Sequence, residues 1–133
     1  MTIEEILRQN HTVAIVGLSD KPDRPSHMVA KHLKERGYRI IPVNPQTKEM
    51  LGEVSYPDLL SIPHPVDVVD IFRRSEDVPP IVDQAIKIGA KVVWMQEGII
   101  NEEAAKKARE AGLEVVMDKC MKKEHEKMSR EIA

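Results

Sequence analysis

Residues 12–43 read TVAIVGLSDKPDRPSHMVAKHLKERGYRIIPV, and this stretch decides the fold. It opens on TVAIVGL (12–18), an apolar, β-branched run without polar alternation, which is the pattern of a parallel strand covered on both faces. A polar loop punctuated by proline follows, SDKPDRP (19–25). Ser26 then stands where an N-cap belongs, ahead of HMVAKHLKERG, in which Met28, Val29 and Leu33 share one helical face and Gly37 is the stop. YRIIPV (38–43) reads as a second strand that must turn at Asn44-Pro45. Strand, loop, helix and strand in this order make one crossover unit.

The alternation continues downstream. Residues 46–65 lose the pattern and contain several prolines, so an irregular crossover is expected there, with room for one helical turn after Pro57. VDVVDIF (66–72), KVVWMQ (91–96) and LEVVM (113–117) are three further strands. Between them lie VPPIVDQAIKIG (78–89), opened by prolines and closed by glycine, and EEAAKKAREAG (102–112), capped by Asn101 with acids early and bases late. Short helices are expected at 3–9 and over the charged tail 121–133. The expected architecture is α/β: a single Rossmann-like domain over 1–133, a doubly wound parallel sheet of about five strands with helices on both faces.

Composition narrows the function classes. At 133 residues the chain suits one domain, and a formal net charge of -2 gives no broad attraction to nucleic acid or to an anionic membrane. No apolar run has membrane-spanning length, and MTIEEILRQN (1–10) is acidic and amphipathic where a secretory signal is basic and then apolar. A cytoplasmic location is expected, in keeping with the lone thiol of Cys120. The five histidines, at 11, 27, 32, 64 and 125, offer no pair at helical ligand spacing and there is no CxxC, so no metal site is expected.

In an open parallel sheet, ligands sit beyond the carboxyl ends of the strands, here the loops after Leu18, Val43, Phe72 and Gln96. The first loop brings Ser19, Lys21, Arg24 and Ser26 to a helix N-terminus, where free N–H groups and the positive dipole end suit a diphosphate. A solvated loop with a capping serine has the same sequence. Gly17 stands alone where a dinucleotide fingerprint needs three glycines and a later acid, and no Walker A loop occurs, so ordinary NAD binding and that class of nucleotide hydrolysis are disfavoured. Phe72, Arg73 and Arg74 end the third strand where an aromatic and guanidiniums meet a nucleotide, or where a core residue meets solvent. Gln96, Glu97 and Gly98 end the fourth, either as a ligand approach or as a tight turn.

Taken in order, GLSDKPDRPSHMVAKHL, RGYRIIPVNP, DVVDIFRR, GAKVVWMQEGIINEEAA and GLEVVMDKC resemble the small stand-alone CoA-binding proteins, relatives of the N-terminal domain of the succinyl-CoA synthetase α subunit. The resemblance implies coenzyme A as the ligand. Its phosphates would lie over Gly17, Ser19, Lys21, Arg24 and Ser26, and its adenosine near Val43, Asn44 and Pro45. Phe72, Arg73, Gln96 and Gly98 would then face the pantetheine arm or phosphates. The synthetase's phosphorylated histidine has no matching motif here, so binding of CoA or an acyl-CoA without ligase activity is expected. Cys120 follows the fifth strand at the ligand edge, beside Lys119, Lys122 and Lys123. It reads either as a thiol that forms a mixed disulfide with CoA or as a small buried residue at a junction. Two rival functions stay open: a thiol-disulfide or acyl-transfer enzyme using Cys120 with His125, and a nucleotide-binding subunit of a split synthetase. The partner expectation is accordingly a small molecule, with a homo-oligomer or a synthetase-like subunit beside it.

Overall fold

The computed structural model describes residues 1–132. Five strands form one parallel sheet: β1 (Thr12–Val16), β2 (Arg39–Val43), β5 (Val68–Ile71), β6 (Val92–Met95) and β7 (Glu114–Val116), in the order β2-β1-β5-β6-β7. Because the strands are buried on both sides, alternate residues of one strand supply two cores. Ala14, Val16, Val69, Ile71, Val93 and Met95 face α3 (Val78–Lys87) and α4 (Glu102–Glu110). Val13, Ile15, Val68, Val92 and Trp94 face α1 (Ile3–Gln9), α2 (Pro25–Glu35) and α5 (Met121–Ile132). This explains why the strands read as continuous apolar runs and not as alternating ones. Trp94 is fully enclosed, yet its indole N–H donates to the Lys119 carbonyl at 2.8 Å, so the large ring is buried without orphaning its donor. No helix among the described residues is long and apolar enough to cross a membrane.

Two details depart from the expected elements. Helix α2 starts at Pro25 with Arg24 as its N-cap, and Ser26 lies inside the first turn instead of capping it. Proline's fixed φ suits the first helical position, and the Ser26 hydroxyl is taken by a distant partner, the Ser19 N–H at 2.9 Å. The crossover after β2 is not wholly irregular: β3 (Glu49–Met50) and β4 (Glu53–Val54) pair as a small hairpin. Its two turn residues, Leu51 and Gly52, have φ of 53° and 75°, the primed-turn conformation that matches strand twist. The expected helical turn after Pro57 is present as a 3-10 turn at Leu59–Ser61. The last helix forms as expected through Ile132, and Ala133 lies outside the described residues.

The layer of α1, α2 and α5 contains a buried imidazole pair from which a pH-dependent stability is expected. His32 Nε2 on α2 lies 3.1 Å from His125 Nδ1 on α5, the Tyr38 ring packs edge-on against His125, and the Tyr38 hydroxyl donates to the Leu7 carbonyl of α1. Burial pushes both imidazoles below the ordinary histidine value, Arg36 adds to the effect on each, and the Glu126 carboxylate opposes it. Lys122 lowers His32 further. A base depressed in the folded state binds its proton more tightly when unfolded, so stability is held above the unfolded value and lost as pH falls through it. Between about pH 7.5 and about pH 5.5 the pair is expected to lower the thermal midpoint of the parent relative to that of His125→Gln, so that the difference between the two proteins changes with pH. Parallel curves for the two proteins would remove the pair as the cause.

Candidate functional site

The chain leaves β1 toward β2 on one side and later returns to place β5 on the other, so the switch point of strand order lies between the carboxyl ends of β1 and β5. Gly17 closes β1 there. Its φ is +87°, and a Cβ at this position would stand 2.3 Å from the Phe72 carbonyl oxygen, so the backbones after β1 and β5 approach as only glycine permits. The Arg73 Nε would stand 3.3 Å from the same Cβ, which puts that guanidinium over the end of β1.

A cleft of about 700 Å³ opens at this point. One wall is Gly17, Ser19, Lys21, Arg24, Pro25 and Ser26, and the other is Phe72, Arg73, Arg74, Asp77 and Ile99. The loop forming the first wall is held by hydrogen bonds from several directions. Asn44 Nδ2 donates to the Leu18 carbonyl at 2.9 Å, the Ser19 N–H donates to Ser26 Oγ at 2.9 Å, and the Lys21 N–H donates to Ser19 Oγ at 3.1 Å. Each of the two serine hydroxyls thus accepts from the backbone, which leaves its own hydrogen free to donate into the cleft.

Helix α2 adds further donors. Arg24 provides no side-chain cap, Pro25 has no N–H, and the first intrahelical bond to the cap is from Met28 to the Arg24 carbonyl. The N–H groups of Ser26 and His27 therefore end at the helix's positive pole without an intrahelical partner. Among the described residues Lys21, Arg24 and Arg73 form no ion pair, whereas Arg74 is held by Glu76 at 3.3 Å and Asp77 at 3.2 Å. Three cations without an ion pair among the described residues, two hydroxyl donors and a helix N-terminus converge on one space. The chemistry of that set is anion binding, and for a group with several negative oxygens.

The other residues singled out in the sequence are distributed more widely. Val43 and Pro45 line a smaller pocket of about 180 Å³ with Val16, Leu59 and Ile81, and Arg73 borders both this pocket and the cleft. Asn44 joins the loops: besides its bond to Leu18, its Oδ1 accepts from the Gln46 N–H at 2.8 Å. Gln96 is buried and its Oε1 accepts from the Met121 N–H at 3.2 Å, anchoring α5, while the Gly98 N–H donates to Asp118 Oδ1 at 2.7 Å. Neither lines the cleft, although Ile99 beside them does. Cys120 is half-buried against the apolar layer of α2 and α5, and its carbonyl accepts from the Glu124 N–H. Of its neighbouring lysines, Lys123 is already paired with Glu97 at 2.8 Å. His125 turns to His32. Sequence reasoning missed Pro25, Asp77 and Ile99 in the walls. For Pro25 the signal was present, since proline is a common first helical residue.

Residues 11–126 match the family described as CoA binding domain. The chain belongs to that family. The switch-point cleft of this CoA-binding domain lies within the matched residues, as do the small pocket and Cys120. It is 46% identical over 123 residues to the uncharacterized protein YneT of Bacillus subtilis, covering 92% of this chain and 91% of that one. Among solved structures, a hypothetical protein from Pyrococcus horikoshii OT3 superimposes with a TM-score of 0.92 at 46% identity, over 97% of this chain and 93% of the other. An ADP-forming acetate--CoA ligase of Archaeoglobus fulgidus is 26% identical over an alignment of 119 residues that covers 82% of this chain and 17% of the ligase. The CoA-binding domain thus spans about one sixth of that much longer enzyme.

Proposed function

We propose that the protein binds coenzyme A or an acyl-CoA in the switch-point cleft, and that its role there is binding and not ligase chemistry. The observation that carries this reading is the convergence of Lys21, Arg24 and Arg73, none of them ion-paired among the described residues, on the N-terminus of α2. Membership of the CoA-binding domain family is what favours coenzyme A over other polyanions. In this reading the diphosphate lies against Ser19, Lys21, Arg24 and Ser26, the adenine against Val43 and Pro45, and Arg73, which borders both spaces, meets the remaining phosphate. The pantetheine arm then runs along the strand ends toward Gln96 and Gly98. The walls present donors and cations but no paired nucleophile and base, since Asp77 is engaged by Arg74.

Titration calorimetry at fixed salt, with CoA against dephospho-CoA, NAD and ATP, tests the reading. CoA is expected to bind best, at about micromolar Kd, and Arg73→Ala to weaken it about tenfold, roughly 1.4 kcal/mol, with a shallower salt dependence. Heat from NAD or ATP and none from CoA would overturn it.

A finer proposal concerns Cys120. Its thiolate would attack oxidised CoA, forming the protein–CoA disulfide and releasing one CoA thiolate, and the intact protein would gain the mass of one CoA unit. Absence of that adduct, or its survival in Cys120→Ser, would sink the idea.

A further inference from the structure

The hydrogen bonds around Ser19 point to a residue that no contact with the cleft would reveal. Ser26 and His27 are successive residues in the first turn of α2, and each takes one main-chain group of Ser19. Ser26 Oγ accepts the Ser19 N–H at 2.9 Å, and His27 Nδ1 lies 3.0 Å from the Ser19 carbonyl oxygen. A carbonyl oxygen only accepts, so Nδ1 must carry the hydrogen, and in the neutral ring Nε2 is then left as a bare acceptor. Ser19 Oγ in turn receives the Lys21 N–H at 3.1 Å, and the Lys21 carbonyl receives the Arg24 N–H at 3.1 Å. The chain of bonds therefore runs from His27 through Ser19 to Lys21 and Arg24, the residues that carry the hydroxyl and two of the cations of the cleft. His27 itself is half-buried and is absent from the cleft walls.

We infer that His27 is a positioning residue of the anion site: its Nδ1–H clamps the Ser19 carbonyl and so aims the loop from Ser19 to Arg24 at the ligand's phosphates. The inference rests on the CoA reading above for its ligand and on the hydrogen bonds alone for its mechanism. Without the clamp, the Ser19 carbonyl loses its partner, the loop is tied to α2 only through Ser26, and the loop must be ordered by the ligand at the expense of affinity.

The test has a part that needs no ligand. Nitrogen-resolved NMR of the imidazole in the free protein is expected to show the Nδ1–H tautomer at His27, and an Nε2–H tautomer would overturn the inference whatever the protein binds. Amide exchange at Lys21 is expected to quicken in His27→Ala. In titrations, His27→Ala is expected to raise the Kd for CoA about tenfold. His27→Asn, whose amide places a donor where Nδ1 stands, should restore most of the affinity, while His27→Gln, whose donor reaches the Nε2 position, should not. Equal affinity in parent and His27→Ala would refute the positioning role, as would equal weakening in Asn and Ala. A parent protein that takes no CoA fails the ligand reading alone, because the tautomer and the Lys21 exchange still report on the clamp.

Discussion

Gly17→Ala is expected to cost the fold about 2–5 kcal/mol and to abolish CoA binding. The sum has two sources. A side chain at φ +87° is strained by roughly 1–2 kcal/mol, and a methyl forced into a packed site adds about 1–3 kcal/mol. Here the obstacle is the Phe72 carbonyl at 2.3 Å, with its carbon at 3.2 Å, and backbone cannot swing aside as the end of a long side chain can. The Phe72 N–H also donates to the Val16 carbonyl at 2.9 Å, so relief requires the ends of β1 and β5 to part. That motion separates Ser19 and Lys21 on one wall from Arg73 on the other. Denaturant unfolding and CoA titration of the same variant measure both consequences, and a variant with the parent's stability would show that the two backbones do not approach this closely.

The second large effect runs in the opposite direction. Asp70 sits in the centre of the sheet, in register with Ile15 on β1 and Trp94 on β6, with no exposed surface and neither carboxylate oxygen hydrogen-bonded. Burial raises its carboxyl well above the usual carboxylate range. An acid raised in the folded state contributes stability that is full below its unfolded value and is lost as pH climbs toward the folded one. At neutral pH the site is therefore a burden on the fold. Asp70→Val, whose β-branched side chain suits a strand, is expected to gain about 1–3 kcal/mol near pH 7 and progressively less toward about pH 4. Asp70→Asn also removes the titrating carboxyl and should lose the same pH dependence, but it keeps an unpartnered polar group and so should remain less stable than the valine variant. Because Asp70 does not line the cleft, CoA affinity should persist in the valine variant. A valine variant less stable than the parent at neutral pH would mean that the carboxyl has a compensating partner.

The reach of sequence reasoning follows the range of the forces involved. The five strands, the helices between them and the doubly wound class were legible because burial on both faces writes itself locally, as in TVAIVGL and KVVWMQ. The hairpin at Glu49–Met50 and Glu53–Val54 was not, since two-residue strands carry no periodicity and Leu51 at φ 53° is not a residue expected in such a turn. At the cleft, Gly17, Ser19, Lys21, Arg24, Ser26, Phe72 and Arg73 could be named because strand ends in this architecture collect at one edge, and the structure brings them together.

What only the tertiary structure decided is where each polar side chain finds its partner. Asn44 holds Leu18 across 26 residues, Gln96 holds Met121 across 25, and His32 meets His125 across 93. Ser26 looks like a cap until Ser19 is seen to take its oxygen, and Asp70 looks like any polar residue in a strand until it is found with no partner. Hydrophobic periodicity is a property of neighbours in the chain and can be read along it. Hydrogen-bond satisfaction is a property of neighbours in space, and buried polar groups take whichever partner the packed layers bring within 3 Å or so. The sequence by itself therefore determined the sheet and the edge at which a ligand can sit. Folding decided which of the polar residues at that edge are free to meet it.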